Sequence, residues 1–288
     1  MRKSVRDNRI HEAVDRLAGF CSMNWEVLEM LLTLTGEKKV CRQVLEEERL
    51  RQFISFCRDF RLYYELADFK MLARGDGTLG GFANEAEAAP TNHPYGSYIL
   101  YVSKNKKSAG AAKLAERATS PEFGKILGYP GCCVDFHNGV SARQGKSRDF
   151  ILDSLKRYGI YPFYNNMCLQ HQGFALLSHF PCSPDCAASE SAGKERLDFL
   201  REYFPALAQC LESELKSFVI YTKDSGVFYS TGFTMEGNMV TFGEIKGLIR
   251  NSLREKLQSA GKIYVTDFNA FTLDGEEYRG DCGIFSFK

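Results

Sequence analysis

The chain has 288 residues, a hydrophobic fraction of 44%, and 37 Lys and Arg against 36 Asp and Glu, for a formal net charge of +1. That apolar content supports a folded core, and the charge balance supplies no global field for recruiting nucleic acid or anionic lipid. Met1 to Arg9 is polar and basic without the apolar core of a secretory signal, and no run approaches the roughly 20 apolar residues that span a bilayer, so a cytoplasmic protein with no membrane partner is expected.

From about His11 to Asp59 apolar positions recur at helical spacing, first Val27, Leu28, Leu31 and Leu32, then Val44, Leu45, Phe53 and Ile54. Residues 1–59 are thus expected to form a helical N-terminal region. From Phe60 the pattern shortens to β-like runs at Arg61 to Leu66 and Tyr98 to Val102, with a Gly-rich turn at Gly75 to Gly81 and a surface loop at Ala83 to Pro90. A helix fits Ala109 to Ala118. Ser120-Pro121-Glu122 then opens a short helix that ends at Gly128. Glu190 to Cys210 reads as one helix burying Leu197, Leu200, Phe204, Leu207 and Leu211. Beyond it come strands at Phe218 to Thr222 and Val227 to Phe233, a helix at Phe242 to Gln258, and strands at Ile263 to Phe268 and Gly283 to Phe287. The expected class is α+β: helices first, a central cysteine-rich metal-binding region at 60–215, and a C-terminal α+β region at 216–288 that packs with the centre. Its sheet is expected to be mostly antiparallel, with a covering helix.

Ten cysteines in a reducing compartment read as thiols, metal ligands or redox groups, not as a disulfide framework. Five of them (Cys132, Cys133, Cys168, Cys182 and Cys186) fall between residues 132 and 186, together with His137, His171 and His179. Core packing alone does not explain such clustering. In Leu127-Gly-Tyr-Pro-Gly-Cys-Cys-Val-Asp-Phe-His137, Pro130 suits the opening of a helix and puts Cys132 and Cys133 in its first turn, where free N–H groups and the helix dipole favour a thiolate. In Ser178-His-Phe-Pro-Cys-Ser-Pro-Asp-Cys-Ala-Ala-Ser189, Pro181 and Pro184 bracket Cys182, and a helix starts near Cys186.

The spacing of Cys182 and Cys186 lets two thiolates converge on one metal. Adjacent residues on a helix diverge by about 100°, so one of Cys132 and Cys133 is expected to join them while the other points elsewhere. Three thiolates and an open position suit a [4Fe–4S] cluster, or alternatively a catalytic Zn ion. His179 and Asp185 are the candidate acid–base groups beside such a site; each also has a plain reading as a turn or capping residue, as does Asp135. A zinc site built from Cys168, His171, His179 and Cys182 is a weaker arrangement, because Asn165-Asn166 and Gln170 read as ordinary polar loop. Buried thiols without metal, or a metal-free redox centre, are the remaining readings. Cys21, Cys41, Cys57, Cys210 and Cys282 sit in apolar contexts and read as core. Phosphate-binding glycine motifs and a nucleophile elbow are absent from the sequence.

The two boxes resemble an uncharacterised prokaryotic family marked by a Leu-Gly-Tyr-Pro-x-Cys-Cys-Val box followed by a His-x-Pro-Cys-Ser-x-x-Cys box, over roughly residues 95–215. The resemblance implies that the boxes form one functional unit with Cys132, Cys133, Cys182 and Cys186 as the matching positions, and it carries no activity. Two functions are therefore expected. The first is an iron–sulfur metalloenzyme acting on a small-molecule substrate or a modified residue by dehydration, sulfur transfer or desulfurisation. The second is a zinc- or cluster-stapled binding module for a protein or RNA partner. The sequence fixes no oligomeric state.

Overall fold

The computed structural model describes residues 2–21, 24–73, 86–142, 149–223 and 225–288. The expected Gly-rich turn at Gly75 to Gly81 lies outside them. The chain divides into two compact units, the first made of Met1–Arg74 and Glu85–Gly139, the second dominated by Val140–Lys288. Among the described residues no helix is long and apolar enough to cross a membrane.

The first unit runs through α1 (Arg2–Leu17), α2 (Asn24–Thr35), β1 (Cys41–Leu45), α3 (Glu47–Asp59), β2 (Tyr63–Ala73), β3 (Ala86–Pro90), β4 (Ser97–Ser103), α4 (Lys106–Arg117), α5 (Phe123–Ile126) and the start of α6 (Gly131–Ala142). Its antiparallel sheet has the order β1-β4-β2-β3. β4 is central, and every residue from Ile99 to Ser103 is buried. The helical N-terminal region is present but is interrupted by β1, whose burial alternates residue by residue. Val44 and Leu45 thus follow the period of a strand, not of a helix. Of the expected loop at Ala83 to Pro90, the first three residues lie outside the described residues, and Ala86–Pro90 departs from expectation. It is a strand paired to β2 and not a surface loop, because small alanine side chains sit readily beside a neighbouring strand that local composition does not reveal. α3 buries Phe53, Phe56 and Cys57 on one stripe, where Phe20 meets Phe53 and Phe56 edge-on and Phe60 stacks on Phe56. α4 is capped by the Asn105 side chain, which accepts from the amides of Lys107 and Ser108.

The second unit contains α7 (Phe150–Ser154), β5 (Ile160–Tyr161), α8 (Ala187–Tyr203), α9 (Pro205–Leu215), β6 (Phe218–Thr222), β7 (Gly226–Ser230), β8 (Phe233–Glu236), β9 (Met239–Phe242), α10 (Ser252–Ala260), β10 (Lys262–Asp267), β11 (Ala270–Leu273), β12 (Glu276–Arg279) and β13 (Cys282–Phe287). One sheet has the order β5-β13-β6-β7, with β5 parallel to β13; the other is the antiparallel run β12-β11-β10-β9-β8. Phe218, Ile220, Phe228 and Ile284 of the first sheet share a core with Val240, Ile263, Phe271 and Leu273 of the second, and Leu253 and Leu257 of α10 join it. This is the mostly antiparallel sheet with a covering helix expected for the C-terminal part. Boundaries moved where the chain turns. Pro205 starts a new helix, because its ring cannot continue the previous one, so Glu190 to Cys210 is split between α8 and α9. Val227 to Phe233 is divided between β7 and β8. Phe242 closes β9, and the helix begins only at Ser252, where the Asn251 side chain caps it.

Two packing details in the second unit invite measurement. Gly193 of α8 lies against Tyr164 so closely that a Cβ there would come within 2.7 Å of the tyrosine Cβ and 3.2 Å of its carbonyl oxygen. Gly193→Ala is expected to lower stability by about 1–3 kcal/mol in denaturant titration despite its better helix propensity. Asp149 caps α7 through the amides of Ile151 and Leu152 and accepts from the Tyr221 hydroxyl at 2.7 Å. Burial pushes its carboxyl above the ordinary 3.8, outweighing those hydrogen bonds. The folded chain then holds this proton to higher pH than the unfolded chain does. The carboxyl's contribution to stability is complete below the unfolded value and declines as pH rises through the folded one. The stability difference between wild type and Asp149→Asn should fall as pH is raised from about 4, and a flat difference would refute the assignment.

Candidate metal centre

The first box is anchored by a buried ion pair. Lys38 Nζ lies 2.9 Å from Glu29 Oε2, with 8% and 3% of the two side chains exposed. The same ammonium donates to the Leu127 carbonyl at 2.7 Å and sits 4.9 Å from the Tyr129 ring centroid. One cation thus grips the Leu127-Gly-Tyr129 turn at two points, and the chain leaves that turn through Gly128 in a left-handed conformation (φ 81°). Pro130 follows, and its carbonyl accepts from the amides of Cys133 and Val134, so α6 begins at Gly131 and the two cysteines occupy its first turn. Gly124 lets α5 press against α6; a Cβ there would stand 2.7 Å from a Val134 methyl.

The second box is held by side chains read from sequence as ordinary loop. Asn165 is buried, and its Nδ2 donates to the carbonyls of Pro184 and Cys186, each at 3.1 Å. Asn166, also buried, donates to the Leu215 carbonyl and to Ser217 Oγ. The Asn165 amide is framework for the Pro181-to-Cys186 turn, while that of Asn166 ties its own segment to the end of α9 and the residue before β6. The turn ends where Cys186 takes the N-cap position of α8 with extended backbone and its carbonyl accepts from the Glu190 amide. Phe180 stacks on Phe150 at a centroid distance of 5.2 Å.

The four thiols of the boxes come together. The Sγ atoms of Cys132, Cys133, Cys182 and Cys186 all lie within 4.8 Å of one another, and those of Cys132 and Cys133 are 3.9 Å apart. The expected divergence of the adjacent pair is therefore not found. A difference of about 100° between Cα–Cβ directions is taken up by side-chain rotamers, which are unconstrained by a preceding helical turn at the very start of a helix. Cys133 and Cys186 are buried, Cys182 is half-buried, and Cys132 is exposed.

Among the described residues this is the group of three or more metal-ligating side chains brought so close; Cys168, His171, His179 and Cys182 are not assembled. Burial pushes the Cys168 thiol well up and the His171 imidazole down. His179 is buried, with Nε2 2.9 Å from the hydroxyl of Ser189 in the first turn of α8. Asp185 accepts from Ser183 Oγ and pairs with Arg157, each at 2.7 Å, and that hydroxyl first, then the guanidinium, holds its carboxyl below the usual range. His137 and Asp135 are exposed on α6. Of the cysteines read as core, Cys41, Cys57 and Cys282 are buried and Cys21 is half-buried. Burial raises the Cys41 thiol to about 12 and that of Cys282 to about 11. Cys210 is a correction: it is exposed, because α9 buries Ala208, Leu211 and Leu215, and position 210 falls off that stripe.

No protein-family model, curated protein or solved structure matches the chain.

Lys38 and Glu29 have no sequence signal tying them to the first box, since they lie about ninety residues upstream of it and only the fold joins them. Removing one member of so buried a pair strands the other. Lys38→Met is expected to cost about 3–5 kcal/mol in denaturant unfolding, with Glu29→Leu/Lys38→Met recovering most of the loss. Equal stability of the single variant and wild type would remove the pair from this role.

Proposed function

We propose that this chain is a metal-binding protein in which Cys132, Cys133, Cys182 and Cys186 hold one soft divalent ion, zinc, through four thiolates. The observation that carries the reading is the mutual closeness of the four sulfurs. Thiolates about 2.3 Å from a tetrahedral zinc lie about 3.8 Å from each other, and the adjacent pair stands at 3.9 Å. In a [4Fe–4S] cluster each thiolate takes a different iron, which spreads the sulfurs farther apart than a shared ion does. Soft sulfur donors also disfavour magnesium, calcium and manganese. When bound, the ion fixes the thiols as thiolates and ties the two boxes together, as the binding-module expectation requires.

In this reading His179 and Asp185 are positioning residues for the second box. His179 braces the first turn of α8 through Ser189, and Asp185 fastens the turn to Arg157. A second reading, the iron–sulfur enzyme acting on a small molecule or modified residue, draws support from the exposure of Cys132, the one exposed residue of the four.

Elemental analysis and an absorbance spectrum of anaerobically purified protein separate the two. The expected result is one zinc per chain and no visible absorption, with most of the metal lost in Cys182→Ser and in Cys186→Ser. Several irons per chain with acid-labile sulfide and broad visible absorption would replace zinc by the cluster. Undiminished metal in both serine variants would dismiss the site.

A further inference from the structure

We infer that Cys132 is a nucleophile of this centre, a metal-held thiolate that accepts an alkyl group from a neutral or cationic carbon electrophile; the inference rests on the four-thiolate reading above. Four thiolates overcompensate a divalent ion, so the centre carries net negative charge. Coordination keeps each sulfur deprotonated without any separate base. Reactivity then turns on access, because a thiolate attacks only what can reach it. Here the four ligands differ sharply: Cys133 and Cys186 are buried, Cys182 is half-buried and Cys132 is exposed.

The approach past the helix start is open as well. Gly131, next to Cys132 and the first residue of α6, is exposed and has nothing within 4 Å of the place a Cβ would occupy. No side chain of its own screens the helix start. Asp135 lies three positions beyond Cys132 on the same helix face and is exposed. Its carboxylate adds to the negative field of the thiolates and disfavours an anionic reagent. The remaining cysteines do not compete from within the core, since burial raises the thiols of Cys41, Cys57 and Cys168 and keeps them protonated.

In the step proposed, a lone pair of Cys132 Sγ forms a bond to the electrophilic carbon. The carbon–leaving group bond breaks, and the leaving group departs with its electron pair. The sulfur becomes a thioether, the negative charge of the centre falls by one, and no oxidant, reductant or proton is consumed. Because a thioether is a weaker ligand than a thiolate, the three other thiolates carry the ion afterwards.

The test uses the metal-loaded full chain, with metal content measured on the same sample before and after a limited exposure to iodoacetamide, followed by peptide mapping. The expected result is alkylation of Cys132 at least about tenfold faster than of Cys133, Cys182 and Cys186, with the metal retained; exposed Cys210 reports the behaviour of an ordinary thiol. Iodoacetamide should be preferred over anionic iodoacetate at Cys132 by a larger ratio than at 2-mercaptoethanol. Gly131→Leu, which leaves every thiol in place, should slow modification of Cys132 severalfold without loss of metal. A metal-loaded chain in which Cys132 reacts no faster than its three partners overturns the inference and leaves the four-thiolate reading standing. A chain that binds no metal overturns both. An unchanged reagent ratio, or an unchanged rate in Gly131→Leu, removes the charge selectivity or the approach over the helix start, respectively.

Discussion

Four sulfur atoms drawn within 4.8 Å of one another cannot all be bare anions. At about 4 Å each like-charged pair repels by about 4 kcal/mol at the effective dielectric constant of a protein site, and four anions make several such pairs. The arrangement is stable only with protons on the sulfurs or a cation among them. Much of the local architecture is explained by that demand. Two sulfurs come from the first turn of α6 and one from the N-cap of α8, where backbone dipoles favour negative charge.

Neither box holds its own shape, and each borrows rigidity from residues far away in sequence. In the first, the Lys38 ammonium reads the Leu127 carbonyl and the Tyr129 ring together while Glu29 neutralises it. In the second, the Asn165 amide spans two carbonyls of the turn, and the Tyr164 backbone beside it is packed against a glycine of α8. These contacts are buried and hydrogen-bonded, which makes them costly to rearrange. The thiols are thus presented by stiff supports.

The legible part of the fold was the part written in short-range periodicity. β4, β6, β10 and β13 follow compact β-branched and aromatic runs, and α4 and α8 follow apolar stripes. β1 was hidden because five residues next to a helix can satisfy either period, and β3 because alanines carry no strand signature without the partner that pairs with them. At the candidate centre, the four cysteines stood out by clustering and by their proline-marked turns. The convergence of Cys132 and Cys133 did not, since it depends on side-chain rotamers. Lys38, Glu29 and Asn165 were invisible for a different reason: a lysine, a glutamate and an asparagine are ordinary surface residues until the fold buries them.

The spacing of the boxes has a consequence for the unfolded chain. Cys133 and Cys182 are 49 positions apart, so an ion held by both closes a loop of that length wherever the chain keeps hold of it. A covalent cross-link over about fifty residues would remove roughly 4 kcal/mol of disordered-state entropy. A metal bridge acts in the same sense, with the difference that it is reversible and its strength is set by the free ion concentration. On the proposed metal-binding reading, folding of the segment between the boxes is linked to the metal supply of the surroundings, and a chain starved of the ion would lose a topological constraint along with a ligand.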